Sequence, residues 1–170
     1  MTDDIVLAVA SSLETLSVHG DGVTAASLAH AKKLRSLTAS GLSVSRSEIA
    51  AVAGSLRVLK LSNCAMDDAA LAPLAGGPIV ELTVSGATAL TDAGLIAALA
   101  GTRVRILGVP FCRGLSGACL ASLAELKELD VSSTDICDGA LAPLAGRLRK
   151  LTFFDSRITD AAKSCLEPDA

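Results

Sequence analysis

The phrase apolar-x-x-Leu-x-apolar recurs seven times, beginning at Leu13, Leu34, Leu56, Ile79, Val104, Leu126 and Leu148 (LETLSV, LRSLTA, LRVLKL, IVELTV, VRILGV, LKELDV and LRKLTF). The intervals are 21, 22, 23, 25, 22 and 22 residues. A fixed period of this size is the signature of stacked supersecondary units. It explains why the heptapeptide ALAPLAG stands twice, at Ala70–Gly76 and Ala140–Gly146: the copies occupy equivalent places three repeats apart. Within each phrase the Leu and the apolar residue two places on share one side, as on a strand. Between phrases, segments such as DDAALAPLAG space their apolar residues three or four apart, the period of a short helix. Pro73 and Pro143 sit inside those segments. Proline is tolerated only in the first turn of a helix, so these helices are expected to be short or partly 3₁₀.

One strand plus one helix cannot cover its own apolar face, whereas stacked copies share a core. Each inward Leu then contributes roughly 1.5–3 kcal/mol on full burial. The predicted fold is therefore α/β: a solenoid of about seven repeats, with a curved parallel sheet on the concave side and short helices on the convex side. An acid opens several helical segments (Asp68, Asp92, Asp138, Asp160), and Thr91 and Thr159 just before two of them read as helix N-caps.

The stretch Leu56–Gly76, LRVLKLSNCAMDDAALAPLAG, carries a family likeness. With it the chain resembles a leucine-rich repeat protein over essentially its whole length. The nearest subclass is the cysteine-containing repeat common in F-box proteins. That resemblance places Cys64 and Cys112 at a ladder position, where a small polar group bonds the backbone of neighbouring loops. Equivalent positions hold Asp21, Leu42, Ala87, Thr134 and Ser156, and Leu42 and Ala87 depart from the family's Asn or Cys. Residues 1–12 read as the helical half of an incomplete repeat, 13–167 as the repeat domain and 168–170 as a tail. Neither end shows an obvious polar cap, which open arrays normally need. A complete small protein and a piece of a longer array are both open, and self-association through uncapped ends is a further expectation.

Composition narrows the function. The net charge is −3 with both signs scattered, which argues against a general nucleic-acid binder. The longest uncharged apolar run, Ala93–Gly101, is too short to span a bilayer, and no basic region precedes the first apolar stretch, as a signal peptide would require. Five cysteines without a CxxC, and two histidines (His19 and His30) far from them in sequence, give no zinc pattern. Reduced, cytoplasmic cysteines are the expectation. No glycine-rich phosphate loop, HExxH or GxSxG occurs, so no enzyme, metal or cofactor is expected.

Binding residues are sought on the strand positions that face out from the sheet, where most side chains are small and hydroxylated. Three features depart from that background. In VRILGVPF, Gly108 supplies no side chain and Pro110 no ladder donor, with Ile106 and Phe111 flanking the dip. Either this is an apolar dent for a partner side chain or a local irregularity. Phe154 is an outward aromatic on the last repeat, either an anchor or a cover for the sheet edge. Lys60 and Asp130 add charge to the same face. Lastly, the residue after the first Leu of each phrase is basic in five repeats: Arg35, Arg57, Arg105, Lys127 and Arg149, with Glu14 and Val80 in the other two. This basic rim either grips an anion or complements helix dipoles within each repeat.

The expected function is a non-catalytic scaffold that binds another protein on its concave face. One alternative, implied by the resemblance, is the substrate-recruiting repeat segment of a ubiquitin ligase subunit. A second is binding of an anionic peptide or membrane surface through the basic rim.

Overall fold

The computed structural model describes residues 3–20, 24–41 and 44–166. The ladder positions Asp21 and Leu42 and the tail 168–170 lie outside them. Among the described residues seven strands pair in chain order into one parallel sheet: β1 (Thr15–His19), β2 (Ser36–Ser40), β3 (Val58–Ser62), β4 (Glu81–Ser85), β5 (Ile106–Gly108), β6 (Glu128–Asp130) and β7 (Lys150–Thr152). Six α-helices stand ahead of every strand but β6: α1 (Asp3–Val9), α2 (Ala25–Leu28), α3 (Arg46–Val52), α4 (Asp68–Leu71), α5 (Asp92–Leu99) and α6 (Asp138–Leu141). Short 3₁₀ turns follow α4 and α6 at Ala72–Leu74 and Ala142–Leu144, and others lie at Ala118–Ser122 and Asp160–Cys165. The fold is a leucine-rich-repeat solenoid of about seven repeats. Both ALAPLAG copies form the same α-to-3₁₀ pair, with Pro73 and Pro143 in the first turn of the 3₁₀ segment. Proline is allowed there because its missing N–H would have had no partner.

The register stacks equivalent leucines directly. Leu16, Leu37, Leu59, Leu82, Leu107, Leu129 and Leu151 form one column across the sheet. All are buried except Leu151, which is partly buried at the end of the array. A second column of Val18, Ala39, Leu61, Val84, Val109 and Val131 is also buried, and Phe153 packs half-buried against its end. Removing these stripes from water is the main stabilising term.

One residue past β1–β4 and three past β5–β7 the backbone turns left-handed, at Gly20, Gly41, Asn63, Gly86, Phe111, Ser133 and Asp155, with φ between 46° and 76°. This kink turns the chain off the sheet. It also leaves the N–H of the kinked residue aimed at the next repeat, as in Gly41 N–H to Ser62 O at 3.0 Å and Phe111 N–H to Ser132 O at 2.9 Å. Glycine adopts that backbone without strain, whereas an aromatic residue there is an outlier.

The opening acids do more than complement their own helices. Asp68 accepts from the N–H and hydroxyl of Thr91 in the following repeat, at 2.8 and 2.6 Å. Asp138 does the same for Thr159, at 2.9 and 2.6 Å. Asp92 accepts from Ser116 (N–H 2.8 Å, hydroxyl 2.9 Å), Gly117 N–H (3.1 Å) and Cys119 N–H (3.0 Å). Thr91 and Thr159 in turn cap their own helices, accepting from Gly94 N–H and Ala161 N–H. The two expected N-caps are therefore present, and the acids form a clamp between repeats. Gly94 makes room for it: a Cβ there would lie 2.0 Å from the Asp68 carboxyl carbon.

Candidate functional site

Alternation along the strands sends Thr15, Ser17 and His19 out to solvent and half-exposes the corresponding side chains of β2–β4. At β5 the pattern breaks. Gly108 carries no side chain, and its neighbour Thr83 would lie 3.1 Å from a Cβ placed there. A hollow of about 120 Å³ opens over this point, lined by Thr83, Ile106, Gly108, Glu128, Asp130, Lys150 and Thr152, and it reaches down to Leu107 and Leu129. Of the residues singled out in the sequence, Ile106 and Asp130 meet here. The wall is mixed in character, an apolar floor with acids, a base and hydroxyls around it, where the sequence suggests an apolar dent.

The other concave-face candidates stand apart from the hollow. Lys60 pairs with Glu81 at 2.7 Å, one strand over. Pro110 follows β5, and Phe111 is 57% exposed with φ +62°. Phe154 is 75% exposed at the last repeat, and its N–H donates to Ser132 Oγ at 3.1 Å. Between the two phenylalanines in the column order lie the buried Ser132 and Ser133. Asp130 orients Ser132, accepting from its N–H at 3.0 Å and its hydroxyl at 2.7 Å.

Pro110 has a second consequence. By the register, its nitrogen faces the Val84 carbonyl of the preceding strand, and proline has no hydrogen to give. The Cys112 thiol donates to that carbonyl at 3.3 Å. Cys64 makes a longer contact of the same kind to Ala39 O, at 3.7 Å. These two thiols bond across repeats, though to strand carbonyls of β2 and β4 and not to the loop backbone that the ladder reading expects. Thr134 and Ser156 do not: their hydroxyls bond within their own loops, to Val131 O and Phe153 O.

All five cysteines are free thiols, four of them buried and Cys137 exposed. Burial pushes the Cys112 and Cys165 thiols up. Cys119 is pushed up to about 12 by burial and then by the neighbouring Asp92 carboxylate. Thiols held protonated in this way are poor nucleophiles. His19 is exposed on β1, and the His30 ring sits 3.0 Å from Ala26 O at a helix end. Among the described residues no group of three His, Cys, Asp or Glu could hold a metal ion. No helix among them is long and apolar enough to cross a membrane.

The basic rim divides into two. At its C-terminal part a hollow is lined by Arg105, Lys127 and Arg149 with Glu125 and Glu128. Glu125 pairs with Arg105 at 3.6 Å and with Arg103 at 3.8 Å, and Lys127 Nζ donates to Arg147 O at 3.2 Å. At its N-terminal part a hollow of about 330 Å³ is lined by Lys32, Lys33, Arg35 and Arg57 with one acid, Glu14. Adjacency of Arg35 and Arg57 follows from the ladder, since Arg57 N–H donates to Arg35 O at 2.8 Å. Lys32 and Lys33 lie outside the column that the repeat pattern picks out; their signal in the sequence is the KK pair just before the phrase at Leu34.

Comparison with known proteins agrees with the fold and goes no further. No family model and no curated protein matches the chain. Among solved structures, the chain is similar to the TLR13–ssRNA13 complex, with a TM-score of 0.62 at 18% identity. The match covers 98% of this chain and 29% of that one, so the chain spans under a third of its neighbour's length. At that identity the likeness establishes the solenoid.

Proposed function

We propose that the chain is a non-catalytic binding scaffold whose partner, another protein, docks on the concave sheet face around β5. The observation that carries this reading is the hollow over Gly108, where Ile106 and Asp130 meet Thr83, Glu128, Lys150 and Thr152. An apolar floor with a few polar groups around it is the combination that binding pockets commonly use. Phe111 and Phe154, outside the hollow, are exposed aromatics, a residue class enriched at binding hot spots. Residues 13–167 are taken as the binding domain, with 1–12 as the helical half of an incomplete repeat. A reducing, cytoplasmic setting belongs to the same proposal, on the odd count of five cysteines without a CxxC.

The test is affinity capture with the wild-type chain, Ile106→Asp, Asp130→Lys and Phe154→Asp, with circular dichroism as the folding control. Loss of the same captured protein in folded Ile106→Asp and Asp130→Lys is expected. Capture unchanged in all three variants would move the site elsewhere. The structural neighbour is an RNA complex, so the expectation of no nucleic-acid partner is tested in the same assay by competition with single-stranded RNA.

A second reading, a substrate-recruiting repeat segment of a ubiquitin ligase subunit, is favoured by the Cys64 and Cys112 contacts to carbonyls of the preceding repeat. It predicts an F-box in the full reading frame. A frame without one removes it.

A further inference from the structure

We propose that the N-terminal part of the rim is a binding site for a phosphorylated peptide, with Arg35 and Arg57 gripping the phosphoryl group and Lys32 and Lys33 flanking it. The site is separate from the concave face and stands or falls independently of it. Four bases and one acid line a single hollow, with Gly54, Ser55 and Pro78 as its remaining wall. None of the four bases makes a salt bridge or side-chain hydrogen bond with another described residue. Elsewhere on the rim the bases are answered: Arg103 and Arg105 by Glu125, and Lys127 by the Arg147 carbonyl. Like charges gathered in one hollow repel one another, and a bound anion removes that repulsion.

The chemistry selects the anion. Successive strands stand ~4.8 Å apart, so the guanidinium groups of two neighbouring rungs can reach one tetrahedral group together. A guanidinium matches phosphate with paired N–H donors. A carboxylate carries one charge and is satisfied by one arginine, whereas a phosphoserine carries about −1.5 to −2 at neutral pH. Four bases suit the second. The wall at Gly54 borders open space, with nothing within 4 Å of a Cβ placed there.

Other polyanions fit less well. A membrane surface is usually met by an amphipathic element that inserts apolar side chains, and no residue lining this hollow is apolar apart from Pro78 and Gly54. A single strand of nucleic acid is usually met by a long basic groove with aromatic stacking platforms. Here no aromatic lines the hollow, and the next rung of the column is the uncharged Val80.

The experiment is fluorescence anisotropy with a labelled short peptide bearing one phosphoserine in a Gly-Ala-Ser context. Its comparators are the same peptide unphosphorylated, inorganic phosphate, phosphatidylcholine vesicles containing a phosphoinositide, and an oligouridylate. Saturable binding of the phosphopeptide is expected, weakening as salt is raised. The double variant Arg35→Ala/Arg57→Ala is expected to lose about tenfold or more in affinity, and Arg35→Lys/Arg57→Lys to lose part of it. Arg105→Ala/Arg149→Ala should bind as wild type. All are solvent-exposed positions, and circular dichroism confirms the fold. The proposal is overturned if the phosphopeptide does not bind or the unphosphorylated peptide binds as well. It is overturned too if inorganic phosphate, vesicles or oligouridylate bind as tightly through the same arginines, or if the Arg105/Arg149 variant is the one that loses affinity.

Discussion

Repeats one to four and repeats five to seven solve the same packing problem with different regularity. Strands β1–β4 run five residues each with strict alternation, whereas β5–β7 run three. The left-handed kink after the strand is Gly20, Gly41, Asn63 and Gly86 in the first group, residues suited to that backbone. In the second it is Phe111, Ser133 and Asp155. The rim shows the reverse: among the described residues, Arg35 and Arg57 are unanswered in the first group, while Arg105 and Lys127 are answered in the second. Uniform sheet geometry thus accompanies a charged edge with no internal partner. Irregular geometry accompanies an uneven sheet face with a hollow and two exposed aromatics. The irregular half holds because individual side chains replace what the backbone lost, most directly the Cys112 thiol standing in for the donor that Pro110 lacks.

The contrast can be broken by substitution. The largest effect is expected at the leucine column: Leu82→Ala, fully buried in β4, should cost about 2–5 kcal/mol, and partly buried Leu151→Ala clearly less, read from chemical denaturation midpoints. Equal losses at both would mean that the array end is as tightly packed as its middle. Next, Cys112→Ala should cost about 1–3 kcal/mol by leaving the Val84 carbonyl without that donor, while Cys64→Ala, whose contact is longer, should cost less. If the two are equal, the thiol does not compensate for the proline. Third, Phe111→Gly should raise stability by about 1 kcal/mol by releasing left-handed strain, and Gly86→Phe should lower it. A loss from Phe111→Gly would show that the ring is held by packing.

The smallest effect lies in acid. The Thr159 hydroxyl, and then its N–H, hold the Asp138 carboxyl below its ordinary value of 3.8. Burial works upward on Asp92, but the N–H groups of Cys119 and Ser116 and the Ser116 hydroxyl outweigh it, so it too titrates low. A carboxylate depressed on folding stabilises above its unfolded value, and that contribution is lost as pH falls through the folded value. Acid titration of folding should therefore show stability falling below about pH 4, and Asp138→Asn should flatten that fall. An unchanged acid limb in Asp138→Asn would remove the clamp from the account.

The solenoid was legible because its core is a sum of local, repeated statements: each LxxLxL phrase specifies a strand, and each is repeated in phase. Short helices with 3₁₀ continuations followed from Pro73 and Pro143 by the same local logic. The clamp was not legible. Asp68, Asp92 and Asp138 occupy places where an acid suits its own helix, and only the stacking distance reveals that their oxygens are used by the next repeat. The hollow was half legible. Gly108 announced a missing side chain, but Glu128, Lys150 and Thr152 come from later phrases and meet it only through register. The division of the rim was hidden for the same reason, since Glu125 belongs to the turn before its phrase and not to the basic column.

The carboxylate clamp gives the duplicated heptapeptide a meaning for how such a chain changes length. Repeat three offers Asp68 to Thr91, and repeat six offers Asp138 to Thr159, in the same geometry. A recombination event that joined the first ALAPLAG to the segment beyond the second would excise the equivalent of residues 70–139, three whole turns of the coil, and present Asp68 to Thr159. Donor and acceptor would still match, so the shortened descendant would inherit a seam already proven in its ancestor.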